Sequence, residues 1–269
     1  MIEHVVQAAR EAGIILRDGF GRIQKIEEKG RTTDLVTETD KSSERFLREW
    51  ISSRFPDHAL IGEEEENVAR PDAEWTWVFD PLDGTVSFAY GIPFFAVCVA
   101  LRHRGTTVAG AVYEPLRDEM FAASLGKGAT LNGKSIHVTE TTELNRSLLA
   151  TGFPYTIAEN PRRTLETFVA VAPFARGIRR LGTAGIDLAD VACGRMDGYW
   201  ESFLQPWDCA AGALLVEEAG GRVTDYVGNP HDIFGLQTVA TNGNTRRARG
   251  TWCPRIWRMT KAMRAMFMR

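Results

Sequence analysis

The stretch WTWVFDPLDGTVSF, residues 75–88, decides how the rest of the chain is read. Its first half, WTWVFDP, predicts a strand that ends at Asp80-Pro81. Gly84 and Thr85 then stand where a helix begins, with backbone N–H groups free to meet an anion. Asp, Pro and Gly are turn residues, so a simple turn explains part of the pattern. A turn does not demand the threonine. Asp, Pro, Asp, Gly and Thr at roughly 5% usage each would coincide by chance in about one window in several million.

Working outward, HALIGEE (residues 58–64) predicts a shorter strand whose end carries acids. On the C-terminal side, FFAVCVAL, TTVAGAVYEP and DEMFAAS predict three more strands, followed by the turn-rich GKGATLNGKS. The apolar positions Ile2, Val5, Val6, Ala9, Ile15 and Leu16 recur at helical spacing, and that helix ends near Gly19 to Gly21. Residues 31–39 read as an extended lead-in, with Asp40 at the N-terminus of a second helix that runs to Pro56. SLLATGF, RGIRRLG and DGYWES predict strands, and residues 185–194 and 209–219 predict helices. Strands with interleaved helices imply an α/β fold. A soft boundary near residues 139–143 divides the chain into an N-terminal subdomain, 1–142, and a C-terminal one, 143–269.

The chemistry these residues suggest is metal chemistry. Magnesium takes octahedral oxygen ligands and keeps several waters. Asp80, at a strand end, can bridge two ions through its two oxygens. Pro81 fixes the backbone so that the Leu82 carbonyl can turn inward, and Asp83 can reach a second ion. Glu63 directly follows a buried strand and a glycine, whereas Glu65 and Glu66 read as a solvated face. Asp208 follows Pro206-Trp207 at the start of a helix, where it can serve as a cap or as a ligand. Two like charges about 4 Å apart cost about 4 kcal/mol at an effective dielectric of 20. A cluster of four such acids therefore implies divalent cations.

Bulk composition agrees with an enzyme-like globular protein: 269 residues, 44% hydrophobic and 25% charged. The longest apolar stretch, Ile92 to Leu101, is too short to span a bilayer, and the N-terminus lacks the apolar core of a secretory signal. Cys98, Cys193, Cys209 and Cys253 are scattered without zinc-ligand spacing, as expected of reduced thiols in a cytoplasmic protein. From Asn244 onward there are eight basic residues and no acid. Removing them from the 32 Lys and Arg leaves 24 against 35 Asp and Glu, a body charge of −11. An acidic body rules out nonspecific nucleic-acid binding as the main activity and suits a protein that gathers cations. In the basic tail, Ile256, Met259, Met263, Met266 and Phe267 recur at helical spacing. A terminal helix packed on the acidic body is the favoured reading, with membrane contact as the alternative.

The motifs DLVTETD (34–40), IGEE (61–64), DPLDGTVSF (80–88), GTAGIDLADVACGRMDGYWE (182–201) and WDCAAGALLVEEAGG (207–221) span nearly the whole chain. Together they resemble the inositol monophosphatase family of lithium-sensitive, magnesium-dependent phosphatases. The resemblance implies an α-β-α-β-α five-layer sandwich, shared with fructose-1,6-bisphosphatase, and a homodimer. It implies that Glu63, Asp80, Asp83, Asp208 and the Leu82 carbonyl bind two or three Mg2+ ions. It further implies that Asp40 and Thr85 activate water, that Gly84, Thr85 and Asp208 meet the substrate, and that Glu201 contacts its hydroxyls. The implied reaction is direct attack of metal-activated water on a phosphate monoester.

The chain departs from the family at Val86-Ser87, where many members carry Thr-Asn, and in its basic tail. Three rivals follow. Another phosphatase of the superfamily would act on fructose 1,6-bisphosphate, histidinol phosphate or adenosine 3′,5′-bisphosphate. A haloacid-dehalogenase-type enzyme would use an aspartyl nucleophile in D-x-D, but here the acids are spaced D-x-x-D. A phosphatase-like scaffold would bind RNA or a protein.

Overall fold

The computed structural model describes residues 1–22, 25–70, 72–159 and 161–244. The basic tail, with Cys253 and the expected terminal helix, lies outside the described residues. Among the described residues, the chain forms helices α1 (Ile2–Gly19), α2 (Glu38–Arg54), α3 (Thr85–Ala89), α4 (Pro161–Val171), α5 (Ala184–Ala192) and α6 (Pro206–Glu218). A hairpin of β1 (Ile26–Glu28) and β2 (Leu35–Thr37) leads into α2.

A seven-stranded sheet follows in simple order: β3 (Ala59–Gly62), β4 (Trp75–Asp83), β5 (Ala96–His103), β6 (Thr106–Glu114), β7 (Glu119–Ser124), β8 (Gly128–Leu131) and β9 (Lys134–Ile136). Only β3 and β4 are parallel; the other neighbours are antiparallel. A second sheet joins β10 (Leu148–Thr151), β11 (Gly177–Arg179), β12 (Gly198–Ser202), β13 (Arg222–Thr224) and β14 (Gln237–Thr241) in the order β11-β10-β12-β14-β13.

The layering follows from which faces are apolar. Side chains alternate across a strand. On β4 and β5, Trp77, Phe79, Val97 and Val99 therefore pack with Val5, Ala9, Ala12 and Leu16 of α1 and Leu47 and Ile51 of α2. Their neighbours Val78, Cys98 and Ala100 turn the other way, onto Ile186 and Leu188 of α5 and Leu214 and Leu215 of α6. Those two helices also carry the inner face of the second sheet, with Tyr199 and Ala240. The outer face, with Leu149, Trp200 and Val239, packs against Val171 and Phe168 of α4. The result is the five-layer α-β-α-β-α sandwich, with α5 and α6 as its middle layer.

Several elements differ from the sequence reading. The β4 strand continues through Pro81 to Asp83. The turn-rich stretch after β7 is a hairpin, β8–β9, closed by Asn132-Gly133, both at positive φ. The α4 helix, β1 and the β13–β14 pair were not anticipated. Cys98, Cys193 and Cys209 are free thiols, as expected. No described helix is long and apolar enough to cross a membrane.

The middle layer makes a direct prediction. Ile186 is fully buried between the two sheets, so Ile186→Ala should lower unfolding free energy by about 2–5 kcal/mol. Val169→Ala on the exposed side of α4 should change it by less than about 0.5 kcal/mol. Urea titration of the two variants measures both; near-equal values would contradict the layer assignment.

Candidate active site

The acids of the central motif are three residues apart, so a regular strand would point Asp80 and Asp83 to opposite faces. Pro81 has no N–H for the ladder, and the pairing of β4 with β5 shifts register between Asp80 and Asp83. Such a bulge re-aims the side chains. Both aspartates line one cavity of about 520 Å³, together with Glu63, Leu82, Gly84, Thr85, Glu201 and Asp208. Every expected site residue except Asp40 is on that wall, and Asp40 lies directly behind it.

Each aspartate is held by a backbone N–H. Leu82 N donates to Asp80 Oδ1 at 2.9 Å. Gly185 N, at the start of α5, donates to Asp83 Oδ2 at 2.6 Å. Asp208 is the third residue of α6 and accepts from Gln205 N at 2.7 Å, half of a capping box. Gln205 is thus the N-cap and Asp208 its capping-box partner, and Asp208 also lines the cavity. Asp40 occupies the same position in α2, where Oδ2 accepts Thr37 N at 2.9 Å. Its other oxygen accepts the Thr85 hydroxyl at 2.8 Å. The Leu82 carbonyl points to that hydroxyl as well, at 3.1 Å. Gly84 sits at φ +101°, where a Cβ would meet the Phe94 carbonyl and Thr183 Oγ at 3.0 Å, so only glycine fits the start of α3.

Several contributors had no distinct sequence signal. Lys29, in the β1–β2 turn, donates to Glu63 Oε1 at 2.9 Å and also to Glu64. Among the described residues, no three His, Cys, Asp or Glu side chains are already gathered as a cation cage; the Lys29 ammonium supplies positive charge there instead. The Tyr199 hydroxyl donates to Glu201 Oε2 at 2.5 Å. Arg180 and Arg31 line the cavity as further cations, and Arg31 also pairs with the exposed Glu159. Asp187, buried on α5, has an Oδ1 without a hydrogen-bond partner.

Burial and mutual repulsion make these acids hard to ionise. Burial raises Asp80 well above the usual carboxylate range, and the charges of Glu63, Asp83 and Asp208 raise it further. Asp208 is raised well above it too, by burial and then by Glu63. Burial lifts Asp83 and Glu201 to about 7. Burial and the neighbouring Glu63 lift Glu64 to about 8. Asp40 is raised by burial, against the pull of its bonds to Thr37 and Thr85. A set of buried oxygen donors with excess negative charge is the chemistry that a hard divalent cation satisfies.

Comparison with known proteins gives the family. The family model described as "Inositol monophosphatase family" matches residues 1–261. The chain belongs to the inositol monophosphatase family. An inositol-1-monophosphatase from Synechocystis is 43% identical over 90% of this chain and 84% of its own length. The Nus factor SuhB of Pseudomonas aeruginosa is 39% identical over 91% of this chain and 92% of its own. The crystal structure of the extragenic suppressor protein suhB from Bartonella henselae superposes with a TM-score of 0.85 at 39% identity, covering 91% of this chain and 94% of that one. Membership in the family thus embraces relatives named for two different roles.

The raised acids predict a pH dependence of stability. Above pH 5, exposed paired acids such as Glu27, pulled down to about 2 by Lys25 and Lys41, stay ionised in both states. Between about pH 5 and 8 the folded protein retains protons on Asp83, Glu201 and Glu64 that the unfolded chain has released. Stability of the metal-free protein should therefore fall as pH rises through this window. Thermal melts in chelator at pH 5.5 and pH 8 check the sign; a melting temperature that rises toward pH 8 would refute it.

Proposed function

We propose that this protein is a Mg2+-dependent hydrolase of phosphate monoesters, with inositol 1-phosphate-like polyol phosphates as its substrates. The observation that carries the reading is the convergence of Glu63, Asp80, Asp83 and Asp208 on one cavity beside the Thr85–Asp40 hydrogen bond. Glu63, Asp80, Asp83, Asp208 and the Leu82 carbonyl would hold two or three Mg2+ ions. Bound there, Mg2+ offsets the carboxylate charge, polarises the phosphoryl group and lowers the pKa of water.

The chain's own residues do the rest. The Thr85 hydroxyl gives its proton to Asp40 as it takes one from the attacking water, and the raised affinity of Asp40 for protons suits it as acceptor. The N–H groups of Gly84 and Thr85 face the charge that builds on the phosphoryl oxygens. Glu201, steadied by Tyr199, accepts hydrogen bonds from substrate hydroxyls. Asp208 also meets the substrate. The same reading includes a homodimer acting in the cytoplasm, with subdomains at 1–142 and 143–269.

A second reading is favoured by the relative named a Nus factor: a role in binding RNA or protein that does not need turnover. It accounts less well for an intact acid cluster.

A phosphate-release assay separates these readings. The panel is inositol 1-phosphate, fructose 1,6-bisphosphate, histidinol phosphate and adenosine 3′,5′-bisphosphate, each with and without Mg2+. Inositol 1-phosphate should be the best substrate. Asp80→Asn should abolish turnover, and Thr85→Ala should lower kcat with little change in KM. Glu201→Gln should raise KM for the polyol phosphate more than for p-nitrophenyl phosphate. Absence of Mg2+-dependent turnover on the whole panel would favour the second reading. A first turnover in oxygen-18 water that yields unlabelled phosphate would revive the aspartyl nucleophile.

A further inference from the structure

We infer that Glu44 and Arg48 of α2 are positioning residues that set the cation affinity of the site through the segment that follows Glu63. The inference rests on the reading of Glu63 as a Mg2+ ligand.

Glu44 and Arg48, one helical turn apart, would ordinarily be read as an exposed i,i+4 ion pair. Here Glu44 is fully buried and Arg48 is 9% exposed. Arg48 Nε donates to Glu44 Oε1 at 2.8 Å and one terminal nitrogen donates at 2.6 Å. The pair then grips the main chain from both sides. Glu44 Oε2 accepts Glu64 N at 2.9 Å, and Oε1 accepts Glu65 N at 3.1 Å. Arg48 donates to the Glu65 carbonyl at 2.9 Å and to the Glu66 carbonyl at 3.0 Å. Four main-chain groups of residues 64–66 are thus tied to two side chains.

Those three residues lie beyond the end of β3, and the pair lies against the strand's last residue. A Cβ on Gly62 would stand 2.5 Å from Glu44 Oε1 and 2.7 Å from the Phe79 ring, so the pair and the strand end have no slack between them. The direction in which Glu63 leaves the sheet is therefore fixed by α2. The same helix face carries Asp40, bonded to Thr85, and Ser43, whose hydroxyl donates to the Pro81 carbonyl at 2.9 Å. One rigid helix thus holds both acid-bearing segments, 63–66 and 80–85, at a set spacing.

Stability alone does not explain such a pair. Replacing a buried ion pair by apolar side chains of like volume is often neutral or stabilising. An apolar pair could not bond four main-chain groups. Partners behind a metal ligand typically change metal affinity roughly 10–100-fold when removed.

The test is Mg2+ titration of the full chain by calorimetry, with melting temperature in chelator measured alongside. Glu44→Gln keeps the volume but turns an NH2 donor toward one of the two main-chain N–H groups, which loses its acceptor. It should weaken Mg2+ binding at least tenfold, while kcat at saturating Mg2+ stays within about threefold. Arg195→Met removes the ion pairs of Arg195 with Glu119 and Asp190, away from the cavity; it should lower the melting temperature without moving Mg2+ affinity. If Glu44→Gln loses cooperative melting, Glu44→Asp, which withdraws the carboxylate by one methylene, takes its place under the same criterion. A folded variant whose Mg2+ affinity stays within twofold of wild type overturns this inference alone. A wild-type protein that binds no Mg2+ overturns the reading beneath it.

Discussion

The structure depends on holding like charges together. Asp80, Asp83, Asp208 and Glu63 face one cavity, and each close pair costs about 4 kcal/mol at 4 Å if ionised at an effective dielectric of 20. The fold does not answer this with an equal number of basic side chains. It answers with main-chain amides: Leu82 for Asp80, Gly185 for Asp83, Gln205 for Asp208 and Thr37 for Asp40. Each of these bonds fixes one oxygen of its carboxylate. Among the described residues, Lys29 alone reaches Glu63 directly as a cation. The charge left over is what a divalent cation would neutralise.

The layered architecture serves that arrangement. The α2 helix lies outside the first sheet and α5 and α6 lie between the two sheets, yet the first turn of each supplies or anchors a site acid. Their positive N-terminal ends favour negative charge. The register shift in β4 brings Asp80 and Asp83 to the same side, and the tight turn at Gly84 starts α3 against Phe94 and Thr183. The middle layer, α5 and α6, joins the two sheets, so the acids from both halves of the chain share one rigid core.

Much of this was legible in the sequence because the decisive residues cluster in short motifs. Asp80 and Asp83 sit within four positions, and Glu63 and Asp208 each border a run of clear strand or helix character. What escaped reading did so for physical reasons. Asn132-Gly133 is a strong hairpin signal, but the short strands around it are diluted by glycine and lysine. Lys29, Glu44 and Arg48 look like ordinary surface charge, since their partners are far away in sequence or belong to the main chain. Glu65 and Glu66 do expose their side chains, yet their carbonyls are bonded to Arg48, which no pattern of side chains reveals. Asp208 was ambiguous in the sequence because the same residue completes a capping box and lines the cavity.

The central claim is that buried, partly protonated acids are exchanged for a cation. Mg2+ binding should then expel protons. Calorimetric titration at pH 7 in buffers of different ionisation enthalpy counts them directly. The account predicts net proton release at pH 7 that shrinks by pH 9, where Asp83, Glu201 and Glu64 have already ionised. Binding with no proton release at pH 7 would contradict it.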